Sequence, residues 1–187
     1  MRVDLLDYLR GEIQRRCEQP TNRFGMGVYD HIEAVVKNGA VLADRYGADR
    51  EVVMIAAWLH DIASITNYSM YPEHHIYGAE MARDILAQWN YDKDKTELVC
   101  RCIRNHRGSV SLERESVEER CVADADAVSH FDSLPSLLYL AFGERHMGFE
   151  EGKDFVCKKL ERSFQKLSEP SKEFYQNKYR QVMGMLI

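Results

Sequence analysis

The residues of this 187-residue chain whose types could do chemistry are histidines and aspartates: His31, the adjacent pair His60-Asp61, His74-His75, His106, and Asp124 with Asp126. Imidazole and carboxylate are both metal-ligating groups, and the pair His60-Asp61 stands out by its setting. It ends a run, Val52 to Leu59, in which every residue is apolar. A helix that is apolar on all sides is a buried helix. Polar groups at the end of such a helix are drawn out of water and need partners or a metal.

The elements that must position these groups read as helices. Val3 to about Glu18 carries Leu5, Leu6, Leu9 and Ile13 at helical spacing and is stopped by Pro20. From Val28 an apolar stripe runs through Ile32, Val35, Val36, Leu42, Ala43 and Tyr46 to Gly47, and His31, one turn before Val35, borders it. Asp49 is placed to cap the buried helix that ends at the His-Asp pair. Ser64 to Pro72 reads as a loop with Asn67, Tyr68 and Tyr71 forming a rim. Glu73 to Trp89 and Lys93 to His106 are two further helices, with His74 and His75 in the first turn of the former. Gly108 to Ser116 reads as a polar loop, and Ser116 with Glu119 makes a capping box for the helix that carries the aspartates. Ser133 and Pro135 open another helix to about Gly143, and two amphipathic helices follow over about 150–167 and 170–187. The expected architecture is all-α: one helical domain over 1–187, with a core at about 28–132. The N-terminal helix 3–18 and the C-terminal helices 133–187 pack on that core.

Composition narrows the function. A length of 187 residues and 45 % hydrophobic content suit a globular core. A net charge of -5 argues against an extended nucleic-acid surface. Five cysteines, an odd number without paired Cys-x-x-Cys units, read as free thiols in a reducing compartment. The charged N-terminus has no signal-peptide core, and no apolar run reaches membrane-spanning length, so a cytoplasmic location is expected.

Five fragments occur in a telling order: Asp30-His31-Ile32, Trp58-Leu59-His60-Asp61-Ile62, His74-His75-Ile76-Tyr77-Gly78-Ala79-Glu80, Ile103-Arg104-Asn105-His106, and Asp124-Ala125-Asp126-Ala127-Val128. Over about residues 28–132 the chain resembles the HD-domain superfamily of metal-dependent phosphohydrolases. The resemblance implies a compact HD-type helical bundle with a C-terminal extension, and metal ligands at His31, His60, Asp61 and Asp126. Such a nitrogen and oxygen set suits Mn²⁺, Fe²⁺, Co²⁺, Ni²⁺ or Mg²⁺. Asp126 is preferred over Asp124 because Asp126-Ala127-Val128 fits the family pattern, and the two lie about 200° apart on a helix, so only one can face the site. His74 and His106 match positions that hold a second metal, contact phosphate or, for His106, act catalytically. His74 is preferred to His75 by its spacing from Gly78. Asp61 doubles as an acceptor for a proton from the attacking water. His130 and His146 fall outside the pattern and read as structural or exposed.

Two departures remove basic residues that many relatives use for phosphate: Ser64 stands where they have lysine, and Ala34 where they have arginine. The Gly-Tyr-Pro signature of the cyclic-dinucleotide branch is absent after His106, and Arg107 is the candidate replacement cation. The expected activity is hydrolysis of a phosphate ester or anhydride of a small molecule, with a nucleotide preferred, by attack of a metal-activated water at one or two divalent ions. Two other readings stand beside it: a di-iron oxygenase on the same scaffold, and a catalytically silent nucleotide-binding regulatory module. A homodimer through the leucine and tyrosine helix near Leu137 to Phe142 is a further expectation, although a core helix is the simpler account of that segment.

Overall fold

The computed structural model describes residues 1–107 and 114–186, and these contain helices and no strand. Ten α-helices run in chain order: α1 Val3–Cys17, α2 Gly27–Tyr46, α3 Arg50–Leu59, α4 Ile62–Thr66, α5 His74–Gln88, α6 Lys93–Asn105, α7 Val117–Asp132, α8 Leu134–Leu138, α9 Phe149–Lys166 and α10 Glu169–Gly184. A 3₁₀ segment, Tyr68–Glu73, joins α4 to α5, and a π-helical stretch, Tyr139–Glu144, continues α8. No described helix is long and apolar enough to cross a membrane.

At the centre lies α3. Val52, Val53, Ile55, Ala56, Ala57 and Leu59 have no exposed surface, and α2, α6 and α7 pack around them. Its start is set by Asp49, whose carboxylate accepts the main-chain N–H groups of Glu51 and Val52. Gly47 ends α2 in the left-handed conformation, at φ 70°. The buried helix, the flanking stripe and the cap thus follow the sequence expectation.

The segment expected to be a loop, Ser64 to Pro72, is instead helical for most of its length. Buried Ile62, Ala63 and Ile65 hold α4 against the core. The side chain of Asn67 accepts the Ser69 N–H and starts the 3₁₀ turn. The capping box at α7 is half of one: Ser116 Oγ accepts the Glu119 N–H, whereas the fully buried Glu119 carboxylate accepts from Asn105 Nδ2 at 2.7 Å. The polar loop expected at Gly108 to Ser116 lies largely outside the described residues. In the C-terminal part, α9 packs on α7 and on the π-helical stretch, and α10 packs on α9 and α7. Leu137 and Ala141 of the leucine and tyrosine segment are buried.

Candidate metal centre

Six side chains from five helical segments converge beside α3. His31 comes from α2, His60 and Asp61 from the end of α3, and His74 from the start of α5. His106 follows α6, and Asp126 lies on α7. Their ligand atoms form two groups, His31 with His60 and Asp126, and Asp61 with His74 and His106, each within 4.8 Å of one another.

The histidine tautomers follow from their hydrogen bonds. A carbonyl oxygen can only accept, so His60 Nδ1 donates to Ala57 O (2.7 Å), His74 Nδ1 to Tyr71 O (2.8 Å) and His106 Nδ1 to Ile103 O (2.6 Å). Ser129 Oγ donates to Asp126 O and therefore accepts from His31 Nδ1 at 2.9 Å. In its neutral form each of the four rings then carries a bare lone pair on Nε2. Those lone pairs face one another or the carboxylates: His31 Nε2 is 3.4 Å from Asp126 Oδ1, and His60 Nε2 and His74 Nε2 are each 3.5 Å from Asp61. His74 Nε2 and His106 Nε2 are 3.2 Å apart. His60 Nε2 is buried with no partner. Lone pairs so arranged repel unless a cation lies among them, and a fixed tautomer with the second nitrogen hydrogen-bonded is the usual dress of a metal-binding histidine. The donor set fits a divalent ion.

The electrostatics point the same way. Burial alone would raise the pKa of Asp61, but His60, His74, His106 and His31 draw it well below the usual carboxylate range. Asp126 is lowered in the same manner, against its burial, by the His31 ring beside it and then by the nearby His130. Burial, with His60 close by, pushes His106 down to about 3, which keeps it a neutral ligand. Ser64, the residue in the place of a lysine, is buried and its hydroxyl lies 3.4 Å from Asp61 Oδ1.

Asp124 is turned away from this centre. Its carboxylate accepts the N–H of Ser168 at 3.0 Å and the Ser168 hydroxyl, anchoring the start of α10. His75 is not in either ligand group, and its Nδ1 is without a partner. The Arg107 guanidinium donates to the carbonyl of Pro72 in the 3₁₀ segment.

Beside the metal-ligating groups opens a cleft of about 310 Å³. Its lining includes His31 and Asp61, the apolar or aromatic Phe24, Val28, Tyr71 and Phe155, and the basic Arg145, Lys159 and Arg162. His130 also lines it: the ring lies 4.8 Å from that of His31, and Nδ1 is held by Ala127 O and Ser163 Oγ. His130, read from the sequence as structural or exposed, is buried and lies next to the centre. Its position four residues after Asp126, on the same helix face, was the available signal. Arg145, Lys159 and Arg162 had no motif to mark them.

The HD domain family matches residues 28–130. Ribonuclease Y of Mycoplasma capricolum is 31% identical over 121 residues, covering 65% of this chain and 21% of that protein. The bifunctional uridylyltransferase/uridylyl-removing enzyme of Erythrobacter litoralis is 32% identical over 94 residues, covering 49% of this chain and 10% of that enzyme. The chain thus spans about a fifth or less of these relatives' length. Among solved structures, Bacillus subtilis YpgQ superposes with a TM-score of 0.73 at 16% identity, over 98% of this chain and 92% of that one. A predicted HD superfamily hydrolase from an uncultured Thermotogales bacterium gives 0.54 at 21% identity, over 86% and 85%. YpgQ has also been solved in complex with ADP, and that structure superposes at 0.68 with 15% identity, over 97% and 93%.

Proposed function

This chain belongs to the HD domain family, and from that premise we propose that it is a metal-dependent phosphohydrolase acting on a phosphate ester or anhydride of a small molecule, with a nucleotide as the preferred substrate. The observation that carries the reading is the set of four imidazole Nε2 atoms and two carboxylates gathered in two groups, two members of which, His31 and Asp61, line a cleft shared with Arg145, Lys159 and Arg162. His31, His60 and Asp126 would hold one divalent ion, and Asp61, His74 and His106 a second. Such ions, when bound, supply charge neutralisation at phosphoryl oxygens and lower the pKa of water.

The chain's own residues do the rest. Ala57, Tyr71, Ile103 and Ser129 fix the four ring orientations before any ion arrives, so the ligands need no rearrangement. Asp61 stays ionised throughout the neutral range. In its ionised form it is available to accept a proton from an attacking water. His106, held neutral, has its Nε2 among the Asp61 and His74 ligand atoms and is available as a ligand. Phe24, Tyr71 and Phe155 give the cleft aromatic surface for an apolar group, while Arg145, Lys159 and Arg162 offer charge to an anion. That pairing of surfaces is what a nucleotide requires, and the ADP complex of the structural neighbour YpgQ supports it.

The test is release of phosphate and pyrophosphate from nucleoside mono-, di- and triphosphates with Mn²⁺, Co²⁺, Ni²⁺ or Mg²⁺, with Asp61→Ala as control. Metal-dependent release that is lost in the control is the expected result. Protein that contains metal yet releases nothing would overturn the reading. Oxygen-dependent turnover by an iron-loaded protein would move the assignment to an oxygenase, and nucleotide binding that survives Asp61→Ala without turnover would move it to a regulatory module.

A further inference from the structure

We propose that Arg145, Lys159 and Arg162, extended by Lys166, form a track for a chain of phosphoryl groups running beside the metal centre, so that the substrate is a nucleoside di- or triphosphate and not a monophosphate. The inference rests on the phosphohydrolase reading above and specifies its substrate class. Phe155, Lys159, Arg162 and Lys166 recur at intervals of four, three and four residues, which places them in one stripe along α9. The first three line the cleft that contains His31 and Asp61. Lys166 continues the row, near enough to Lys159, Arg162 and Asp126 to feel their charges; its pKa is lowered by burial and then by Lys159.

The charges are uncompensated. Among the described residues, no carboxylate lies within ion-pairing distance of Arg145, Lys159, Arg162 or Lys166, and the first three share one cleft with His31 and Asp61. In a chain of net charge -5, three cations in one stripe of α9 with Arg145 at the same cleft call for an anion. Arg145 adds a stacked contact, 4.8 Å over the ring of Phe155, which orients the guanidinium. Two divalent ions would more than cancel Asp61 and Asp126, so the cations of the wall face the substrate with their full charge. A phosphate monoester brings only about two negative charges. From Lys159 to Lys166 the stripe also advances by roughly 10 Å, more than one phosphoryl group can span.

The experiment separates this inference from hydrolysis. Binding of inorganic tripolyphosphate and of orthophosphate to the full chain is measured by calorimetry, for metal-free and metal-loaded protein. The wild type is expected to bind tripolyphosphate at least a hundredfold more tightly than orthophosphate. Lys159→Gln and Arg162→Gln are each expected to weaken tripolyphosphate roughly tenfold, equivalent to about 1.4 kcal/mol, and to leave orthophosphate within about twofold; Arg83→Gln, outside the cleft, should change neither. Circular dichroism verifies that the variants are folded. Equal affinity for the two anions, or variants that bind tripolyphosphate as the wild type does, would overturn the track. Tighter binding of a trinucleotide without terminal phosphate would also overturn it, in favour of a nucleic-acid end. A protein that shows the expected binding and hydrolyses no nucleotide keeps the track and loses the hydrolase; one that hydrolyses only monophosphates does the reverse.

Discussion

Asp124 and Asp126 stand two residues apart on α7 and serve opposite faces of it: Asp126 joins His31 and His60, and Asp124 holds Ser168 at the start of α10. One helix therefore contributes to the metal centre and anchors the C-terminal helices.

Exchanging these two carboxylates for amides should separate the roles. Asp126→Asn is expected to lose bound metal and at least a hundredfold in turnover while unfolding near the wild-type temperature. Asp124→Asn should keep its metal and lose roughly 1–3 kcal/mol of stability, because the Ser168 N–H and hydroxyl lose a charged acceptor. Metal analysis and denaturant unfolding check both, and a metal-free Asp124→Asn protein would contradict the division.

Metal stoichiometry tests the pairing of ligands. With one ion per ligand group, His74→Asn and His106→Asn should each bring the metal content from two equivalents to one, and His31→Asn should do the same through the other group. Retention of two ions by His74→Asn would place that histidine on substrate phosphate instead.

The metal-free protein should weaken in mild acid. An unfolded histidine titrates near 6.5, whereas burial puts folded His106 at about 3 and lowers His130 as well. Between those values the unfolded chain binds more protons than the folded one. Stability is therefore fullest above about pH 6.5 and falls as pH drops toward 3, by roughly 1 kcal/mol per pH unit per group. Urea midpoints of chelated protein at pH 7.5, 6.5, 5.5 and 4.5 measure this. The depressed carboxylates begin to add to the loss only below about pH 4. A flat profile over that range would contradict it, and His106→Gln should reduce the slope.

Gly152 offers a probe of how the basic wall is seated. A Cβ at this position of α9 would approach the ring of Phe142 to 2.4 Å. Gly152→Ala should displace that ring and cost about 1–3 kcal/mol. It is expected to raise the KM for substrate several-fold with the metal content unchanged, as assayed by kinetics and metal analysis.

Much of the centre is legible in the chain alone, because its signals are local. His60-Asp61 announces itself by the apolar run before it, Asp49 by its place at a helix start, and Asp126 by its neighbours Ala127 and Val128. Ser64 to Pro72 misleads because polar and aromatic residues with a proline suit a loop, while the apolar contacts of Ile62 and Ile65 that make it helical come from the tertiary fold. The wall of Arg145, Lys159 and Arg162 is hidden for a different reason. A lysine and an arginine three residues apart on an amphipathic helix look like solvated charge, and only the folding of α9 back over α7 turns them toward His31. Asp124, too, is explained only once Ser168 is brought to it.

The family match ends at residue 130, and each of the cations that line the cleft comes after that point. The metal-ligating side chains and the basic side chains of the cleft therefore lie in separate stretches of chain, joined mainly through α7. A scaffold divided in this way lets substitutions in the appended helices change the charge of the cleft while the six converging histidines and aspartates stay as they are.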